Sequence, residues 1–302
     1  MLLFCCDPLN SRNPDPSFER EVAAAQRHGL DHALVDFEAL VNEQSPEGAV
    51  RRVPNQPTIR LGVHRGWMLK PTVYGQLFDA LKARGIRLVN DPAAYRHCHY
   101  LPESYSKIEQ RTPRSVWLRF DGEPSFDEIM ALLQEFGSAP IIVKDFVKSR
   151  KREWEEACFI PSAADRQAVE RVVRRFLELQ EDDLNEGLVF REFVEFEPLA
   201  KHSRSGMPLT KEFRLFFLDG KPLLCSEYWD QGDYQGAQPP IDEFSALAQQ
   251  VESRFFSMDV ARQKTGQWLV MELGDGQVAG LPDNADVDQF YQGLADQWPV
   301  GS

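Results

Sequence analysis

The sequence predicts a mixed α/β and α+β protein in which three parts follow one another along the chain. Three observations lead to this prediction. Apolar strands alternate with amphipathic helices up to about residue 105, a strand–helix–strand–helix segment with a polar loop follows, and the last third carries apolar runs joined by a hairpin signal. We therefore expect an N-terminal α/β domain over residues 1–105, a small α+β lid over 106–187 and an antiparallel-sheet domain over 188–302.

The N-terminal part has the pattern of a parallel sheet covered by helices. Its predicted strands are the apolar runs LLFCC, DHALVDF, TIRLGV and IRLVND. The first helix has Ser17 at its N-cap position and Gly29 where helices commonly end in the left-handed conformation. A second helix covers residues 73–84 and is followed by Gly85. Because strands alternate with helices of about ten residues, we expect a Rossmann-like arrangement of parallel strands.

The middle and last parts differ from this pattern. In the middle, SVWLRF and PIIVKDFV are predicted strands, and Ser125 with Glu128 forms a capping box at the start of a helix. The last part begins with GLVFREFVEFE and continues with EFRLFFLDGKPLLCSEYW, where Asp219-Gly220 between apolar runs predicts a hairpin turn. We expect an antiparallel sheet there, with one helix packed against it.

Composition excludes several classes of protein. The 302 residues contain 34 Lys and Arg against 47 Asp and Glu, a formal net charge of −13, which argues against a surface that coats nucleic acid or an anionic membrane. The chain has no apolar run of about 18 residues, and its first residues lack the basic start of a signal peptide. Five scattered cysteines without a C-x-x-C spacing predict free thiols in a reducing, cytoplasmic compartment.

Motif searches give mostly negative results. The sequence contains no P-loop, no G-x-G-x-x-G fingerprint, no G-x-S-x-G elbow and no H-E-x-x-H pair. His97 and His99 flank Cys98, but no third ligand lies near them in the sequence. Polar packing or surface exposure is therefore a better interpretation of these histidines than a metal site.

A basic segment is the first positive feature. Residues 144–152, KDFVKSRKR, carry five basic residues in nine positions of an acidic protein. A solvated loop would explain this segment equally well. Lys144, however, interrupts an apolar strand, where a cation is costly unless it is paired. A lysine in that position beside a basic loop suits the binding of a triphosphate, because its charges neutralise phosphate oxygens.

Two further features involve carboxylates. The first is a set of acids at a strand end and in a Gly-Asp-Gly turn: Asp259, Glu272 and Asp275. Carboxylates in such positions suit Mg²⁺. The alternative is a glutamate at a sheet edge followed by a surface turn. In KEFRLFF, alternation places Glu212 and Arg214 on one face of a strand. The arginine could clamp a phosphate or a substrate carboxylate, or form a cross-strand salt bridge. Together the three features supply the groups for phosphoryl transfer without a P-loop.

The order of these features resembles that of ATP-grasp proteins, over the whole chain. The resemblance implies ATP bound between the lid and the C-terminal sheet. Lys107, in YSKIEQRTP, and Lys144, in PIIVKDF, resemble the two nucleotide-binding lysines of the superfamily. GLVFREFVEFE resembles the hinge between the domains. The resemblance assigns contacts with adenine, made largely by backbone groups, to Glu192, Phe193 and Val194. It assigns a contact with the ribose to Glu197.

The most similar clade is the one named for one arginine and two lysines, whose members include phage and bacterial proteins and a eukaryotic cell-division-cycle protein that helps assemble a translation initiation factor. The resemblance assigns Arg214 to phosphate, with Arg65 as its competitor, and metal ligation to Asp259, Glu272 and Asp275, where Asp275 stands at the superfamily's terminal Asn. Lys148 and Arg150 belong to a lid loop that lacks the usual glycines and would either close over the nucleotide or receive an acidic substrate.

The function implied is an ATP- and Mg²⁺-dependent ligase that joins a carboxylate to an amine through an acyl phosphate. Lys144 and Arg214 would be the catalytic residues, because phosphoryl transfer depends on positioning and charge stabilisation. The expected partners are ATP and small-molecule or peptide carboxylates and amines, without membrane or nucleic acid. The alternative is an ATP-binding assembly factor that closes on a protein partner without ligating anything. An RNA-handling enzyme is a weaker third hypothesis, given the net charge.

Overall fold

The computed structural model of the chain describes residues 1–201 and 208–297. Its N-terminal part is a parallel sheet with the strand order β2-β1-β3-β4. The strands are β1 (Leu2–Cys5), β2 (His32–Val35), β3 (Arg60–Arg65) and β4 (Ile86–Leu88). The helices are α1 (Glu19–Arg27), α2 (Phe37–Val41), α3 (Pro46–Ala49), α4 (Pro71–Ala83), α5 (Pro92–His99) and α6 (Leu101–Ile108). The predicted parallel α/β arrangement is confirmed.

The middle part is an antiparallel sheet with the order β5-β8-β6-β7, covered by helices. Its strands are β5 (Ser115–Arg119), β6 (Ile141–Asp145), β7 (Phe159–Ile160) and β8 (Gly187–Glu192). Its helices are α7 (Phe126–Leu133), α8 (Trp154–Ala157) and α9 (Arg166–Gln180). Ser125 caps α7 by accepting a hydrogen bond from the backbone N–H of Glu128, as the capping box predicted.

The C-terminal part contains a small ribbon and a larger antiparallel sheet with the order β12-β11-β13-β14. The strands are β9 (Pro198–Lys201), β10 (Pro208–Thr210), β11 (Glu212–Leu218), β12 (Lys221–Glu227), β13 (Phe255–Arg262) and β14 (Trp268–Asp275). The helices are α10 (Ile241–Ala248) and α11 (Val287–Gln297). Asp219 and Gly220 both have positive φ, 50° and 71°, which makes the predicted tight turn between β11 and β12.

Strand pairing and helix bounds suggest different positions for the two predicted domain boundaries, which stay predictions. The boundary at 187/188 separates β8 from β5 and β6, although β8 lies between them in the middle sheet. The boundary at 105/106 falls inside α6. Pairing partners are set by tertiary structure, which a local pattern does not reveal. We therefore propose that the middle part begins after Ile108 and extends to Glu192.

The N-terminal and C-terminal parts share a hydrophobic core. Phe4 of β1 packs in one cluster with Phe216 of β11 and Phe290 of α11. The opposite face of β11 contributes Phe213 and Phe217 to a second cluster, with α10. This division of β11 between two cores is the one that alternation predicted, and it fixes which face carries Arg214. Over the described residues, no helix is both long and apolar enough to cross a membrane.

Candidate functional site

Two neighbouring cavities lie on the face of the C-terminal sheet that carries Arg214. The charged cavity has a volume of about 350 Å³. It is lined by charged and polar groups of β11, β13, β14 and the loop after β6, and by residues of the N-terminal part: Met68, His99, Lys148, Arg214, Asp259 and Glu272, together with Val147, Ser149, Ser257, Leu273–Asp275 and Val278–Gly280. The loop after β6 is the predicted basic segment.

The hinge cavity has a volume of about 290 Å³ and is more apolar. Its lining includes the end of β8 and the residues that follow it, and aromatic side chains of α8 and of the loop after β12: Ile142, Lys151, Trp154, Arg191–Phe196, Glu212, Trp229 and Met271. The two cavities adjoin, because Glu212 and Arg214 alternate on one face of β11 and Met271 and Glu272 are consecutive on β14. One polar and one apolar cavity therefore meet under a single basic loop.

A row of charged side chains forms the floor of the charged cavity. The registers of β11, β13 and β14 place Arg214, Asp259 and Glu272 side by side. Arg214 donates from Nε and Nη2 to the two carboxylate oxygens of Asp259, both at 2.7 Å. Lys144 of β6 reaches the same row, with its Nζ 3.0 Å from Glu272 Oε1. The structure therefore brings together these four residues, which the sequence analysis had singled out separately.

Opposite charges set the protonation of this row. Desolvation alone would lower the pKa of Arg214, but the neighbouring Asp259 outweighs it and the pKa is raised. Burial would raise the pKa of Glu272, but Lys144 and Lys151 outweigh it and the pKa is lowered. Glu212 behaves differently, because desolvation raises its pKa to about 7 despite the attraction of Lys151. Arg214 and Glu272 therefore face the cavity as charged groups at pH 7.

Asp275 is placed differently from the other two predicted metal ligands. Its side chain is fully buried, Oδ2 accepts a hydrogen bond from Asn90 at 2.6 Å, and Oδ1 accepts from the backbone N–H of Gln277 at 2.9 Å. Burial raises the pKa of Asp275 to about 6. Both of its oxygens are therefore engaged by amide groups of the protein.

The donor set suits a magnesium ion held by two carboxylates. Across the described ranges, no group of three or more His, Cys, Asp or Glu side chains is gathered for a metal. Asp259 and Glu272, however, are directly opposite each other on β13 and β14 at the cavity surface. Mg²⁺ commonly takes one or two carboxylates and completes its octahedron with water and phosphate oxygens. Asp259 and Glu272 therefore fit a magnesium ion, whereas both carboxylate oxygens of Asp275 already accept hydrogen bonds within the protein.

The predicted hinge residues Glu192, Phe193 and Val194 line the hinge cavity. The backbone N–H groups of Glu192 and Phe193 donate to the carbonyl oxygens of Arg114 and Pro140, at 2.9 and 3.0 Å. The Phe193 ring packs edge-on against Phe159, with 5.0 Å between centroids. The hinge thus offers an aromatic wall, and two of its backbone donors are already used within the protein.

Lys144 contacts Glu272 of the row but lines neither cavity, and three other residues predicted for the site also lie outside both linings. Lys107 of α6 pairs with Glu252, with 2.6 Å between Nζ and Oε1. Glu197 accepts a hydrogen bond from Arg262 at 2.8 Å. Arg150 follows Ser149 on the basic loop and lines neither cavity, unlike its neighbour Lys148. The nucleotide contacts of Lys107, Arg150 and Glu197 stay predictions.

Arg65, the competitor of Arg214, is enclosed by the protein. Only 1% of it is exposed, and it donates from Nε and Nη2 to the carboxylate of Glu21, at 2.8 and 3.1 Å. Its Nη1 donates to the carbonyl oxygens of Gly276 and Ala279. Because these bonds use the guanidinium group on all sides, the geometry favours Arg214 as the arginine that meets a ligand.

Sequence reasoning did not assign Arg191 or His99 to the site. Arg191 of β8 lines the hinge cavity and donates to the carbonyl oxygens of Met271 and Val270, at 2.5 and 3.1 Å; burial lowers its pKa to about 10. It interrupts the apolar run GLVFRE as Lys144 interrupts PIIVKDF, so the same signal could have identified it. His99 lines the charged cavity, whereas the sequence analysis expected it in polar packing or at the surface.

Comparisons with known proteins agree with this architecture. Residues 135–294 match an ATP-grasp domain family, the third family of the clade named for one arginine and two lysines. No curated protein sequence matches the chain. The structure of the ATP-grasp ligase PsnB with a phosphomimetic variant of its minimal precursor, Mg and ADP is 13% identical, covers 98% of both chains and has a TM-score of 0.58.

Two further solved structures show the same fold. The D-alanine–D-alanine ligase of Bacillus anthracis, complexed with ATP, is 14% identical, with 98% of this chain and 94% of that chain covered and a TM-score of 0.57. The RimK domain ATP-grasp protein of Sphaerobacter thermophilus is 13% identical, covers 98% of both chains and has a TM-score of 0.56. The chain has the ATP-grasp fold and, by the match over more than half of its length, belongs to family 3 of the ATP-grasp clade named for one arginine and two lysines.

Proposed function

We propose that the chain is an ATP- and Mg²⁺-dependent ligase that joins a carboxylate to an amine through an acyl phosphate. The observation that carries this proposal is the row of Arg214, Asp259 and Glu272, with Lys144 bound to it, at a cavity that adjoins the apolar hinge cavity. Such a row supplies two cations for phosphate oxygens and two carboxylates for a metal. The fold it shares with ATP-grasp ligases supports the same chemistry.

In this proposal the hinge cavity receives the adenine ring. Trp154, Phe193 and Met271 offer apolar surface to a flat base, which binds to such sites largely by burial and stacking. Lys151 lies at this cavity and Lys148 at the charged one, so the loop after β6 covers a ligand that spans both. The triphosphate would then extend from the hinge toward the charged row.

The ion pairs of the row suit an exchange of partners on binding. Without a ligand, Arg214 neutralises Asp259 and Lys144 neutralises Glu272. On nucleotide binding, Arg214 and Lys144 would exchange these carboxylates for phosphate oxygens, and Asp259 and Glu272 would be the residues that hold Mg²⁺. The ion supplies charge neutralisation for the phosphates. Each charged group therefore has a partner both before and after binding, which limits the cost of desolvating it.

The reaction then needs only positioning and charge stabilisation from the chain. A carboxylate oxygen of the first substrate attacks the γ-phosphorus of ATP, the bond to the β-phosphate oxygen breaks, and ADP leaves. The amine nitrogen of the second substrate then attacks the acyl carbon, and phosphate leaves with the electrons of the C–O bond. Arg214 and Lys144 stabilise the negative charge that shifts between oxygens in the first step.

Release of ADP tests the proposal. Purified protein is incubated with Mg-ATP and pairs of amino acids, dipeptides and their amides, and ADP and phosphate are measured by a coupled assay. We expect at least one pair to raise ADP release well above the rate with ATP alone. The substitution Arg214→Gln should lower that rate by about 100-fold or more, since removal of one group that stabilises transition-state charge typically costs about 10²–10³ in rate.

Arg254 provides a matched control. It also forms a two-point pair with an aspartate of the C-terminal sheet, Asp219, at 2.7 and 2.9 Å, but it lies outside the linings of both cavities and is half-exposed. Arg254→Gln should leave the rate within about twofold of the wild type, because exposed pairs contribute little. Binding of Mg-ATP without ADP release for any pair would refute the ligase and favour the assembly factor. No binding of Mg-ATP would refute both.

A further inference from the structure

One wall of the charged cavity comes from the N-terminal part and has no role in the proposal above. His99, the last residue of α5, lines this wall beside Met68 of the loop after β3. Only 7% of His99 is exposed, yet neither Nδ1 nor Nε2 has a hydrogen-bond partner among residues 1–201 and 208–297. A buried polar group without a partner costs about 1–3 kcal/mol, so its position at a cavity calls for a ligand.

The ring of His99 is held in place rather than loosely packed. It stacks on the ring of Tyr95, with 4.7 Å between centroids and an 11° angle between planes, and Tyr95 stacks in turn on Tyr74 at 3.9 Å. The Tyr95 hydroxyl accepts a hydrogen bond from the backbone N–H of Leu69 at 3.0 Å and donates to its carbonyl oxygen at 2.8 Å. Tyr95 therefore fixes both the imidazole and the segment that carries Met68.

The surroundings of His99 suit an amine better than an anion. The charged groups that face it are Glu272, Lys144 and Lys148, and burial lowers its pKa to about 4, so the ring is neutral and offers one acceptor and one donor nitrogen. Phosphate and carboxylate groups have better partners in Lys144 and Arg214. Around the ring, the apolar side chains of Met68 and Val278 contribute to the same lining.

We propose that His99 binds the amine substrate: a ring nitrogen of His99 accepts a hydrogen bond from the N–H of the amine, while the apolar body of the amine lies against Met68 and Val278. This inference rests on the proposed ligase function. In the second step, the amine nitrogen forms its bond to the acyl carbon, phosphate leaves with the electrons of the broken C–O bond, and the surplus proton passes to phosphate or solvent. His99 orients the nitrogen and takes up no net proton. The substrate class is an amino group on an apolar body.

Separate kinetic readouts test this role. L-Leucinamide serves as the amine probe with an apolar body and hydroxylamine as the probe without one, each with a carboxylate that supports ADP release. His99→Phe keeps the stacking on Tyr95 and removes both nitrogens. We expect His99→Phe to raise the KM for L-leucinamide about tenfold or more and to leave the KM for ATP within about twofold. His99→Gln, which keeps a hydrogen-bonding side chain, should raise the KM for L-leucinamide less than His99→Phe does. The control His32→Phe, on β2, should change none of these values.

The carboxylate half-reaction separates amine binding from a general defect. Scrambling of ¹⁸O within labelled ATP requires the acyl phosphate and the first carboxylate, but no amine. His99→Phe should keep the scrambling rate within about twofold of the wild type. An unchanged KM for L-leucinamide, or an equal loss of scrambling and amide formation, would overturn the role of His99.

A binding measurement keeps the inference testable if no carboxylate supports ADP release, which would refute the proposed function itself. Protein labelled with ¹⁵N-histidine is saturated with Mg²⁺ and a non-hydrolysable ATP analogue, and its ring-nitrogen signals are assigned with His99→Gln. Addition of L-leucinamide should shift the signals of His99 and leave those of His32 unchanged. An unshifted His99 signal at saturating probe would show that this wall does not receive an apolar amine.

Discussion

Two groups of charged and amide side chains contact the same segment, residues 275–280, and they are built differently. The first, which we call the joint, comprises Glu21, Arg65, Asn90, Asp275 and Gln277, and connects the N-terminal part to the end of β14. The second is the row of the charged cavity. In the joint, charges and amides satisfy one another on every side, whereas the row is open on one side to a cavity of about 350 Å³.

The comparison between Arg65 and Arg214 shows that a buried ion pair does not by itself reveal whether an arginine is structural or binds a ligand. Both arginines lie on strands, both form a two-point pair with a carboxylate, and both have a raised pKa because that carboxylate outweighs desolvation. Arg65 also binds two carbonyl oxygens and lies 5.3 Å from the ring of Phe290. Arg214 also donates to one carbonyl oxygen, that of Gly280, at 2.9 Å and lies 4.7 Å from the ring of Tyr228, but 15% of its side chain is exposed and it lines the cavity. Arg65 should therefore govern stability and Arg214 ligand chemistry.

The largest effect expected is the loss of stability on breaking the joint. Among the residues that the structure describes, Arg65→Ala leaves the buried carboxylate of Glu21 with only the hydroxyl of Tyr291, which donates to it at 2.6 Å. Removal of one partner from a buried pair costs about 3–5 kcal/mol, so the free energy of unfolding in urea should fall by this amount. Arg27→Ala, which breaks an exposed pair with Asp288, is the control and should cost less than about 1 kcal/mol. Equal losses in the two variants would contradict the comparison.

A second prediction concerns acid and the joint. His64 of β3 is 1% exposed, and its backbone N–H donates to Gln277 Oε1 at 3.2 Å. Burial, and then the neighbouring charge of Arg65, lower the pKa of His64 to about 4. The unfolded chain therefore takes up a proton at this histidine below about pH 6.5, before the folded chain does. The free energy of unfolding should fall as pH falls from about 6.5 to 4, and His64 should contribute about 2–3 kcal/mol of that fall.

Urea unfolding of the wild type and of His64→Gln at pH 7 and pH 4 isolates this contribution. Carboxylates and the other histidines titrate in both proteins, so the difference between the two pH-induced losses reports on His64. The variant should lose about 2–3 kcal/mol less than the wild type between these pH values. An identical loss would mean that His64 is protonated in the folded protein without cost, and that the joint tolerates a further charge.

Local patterns were sufficient for much of the fold. The alternation of strands with helices predicted the parallel sheet, and Asp219-Gly220 predicted the turn between β11 and β12. Patterns were insufficient where a partner is distant in sequence. GLVFRE was recognised as apolar, but nothing within it indicates that β8 pairs with β5 and β6 instead of with the C-terminal sheet. The spacing of Leu247, Val251 and Phe255 predicts a helix from about Asp242 to Phe255, but the helix ends at Ala248 and Phe255 begins β13.

The same limit applies to the site. Lys144, Arg214 and Glu272 were found because each places a charge within an apolar strand, which is costly without a partner. The partner itself could not be read from the sequence: Lys144 and Glu272 are 128 residues apart. Asp275 follows three residues later and also lines the cavity, yet its two carboxylate oxygens accept hydrogen bonds from Asn90 of the N-terminal part and from the backbone of Gln277. Only the packing of two sheets distinguishes these two acids.

The smallest effect expected is on nucleotide affinity, and it tests whether the row at the charged cavity binds a ligand. Lys144→Ala removes a cation from the row, and we expect the Kd for Mg-ATP to rise about tenfold, or about 1.4 kcal/mol, in a calorimetric titration at low salt.

Stability without ligand should change little in this variant, because the partner Glu272 is 43% exposed and remains hydrated when its lysine is lost. Lys82→Ala, on the exposed face of α4 in the N-terminal part, removes the same charge outside the row and should leave the Kd unchanged. If Lys144→Ala instead destabilises the free protein by several kcal/mol and leaves the Kd intact, Lys144 belongs with Arg65 as a structural cation, and the phosphates bind elsewhere on the ATP-grasp fold.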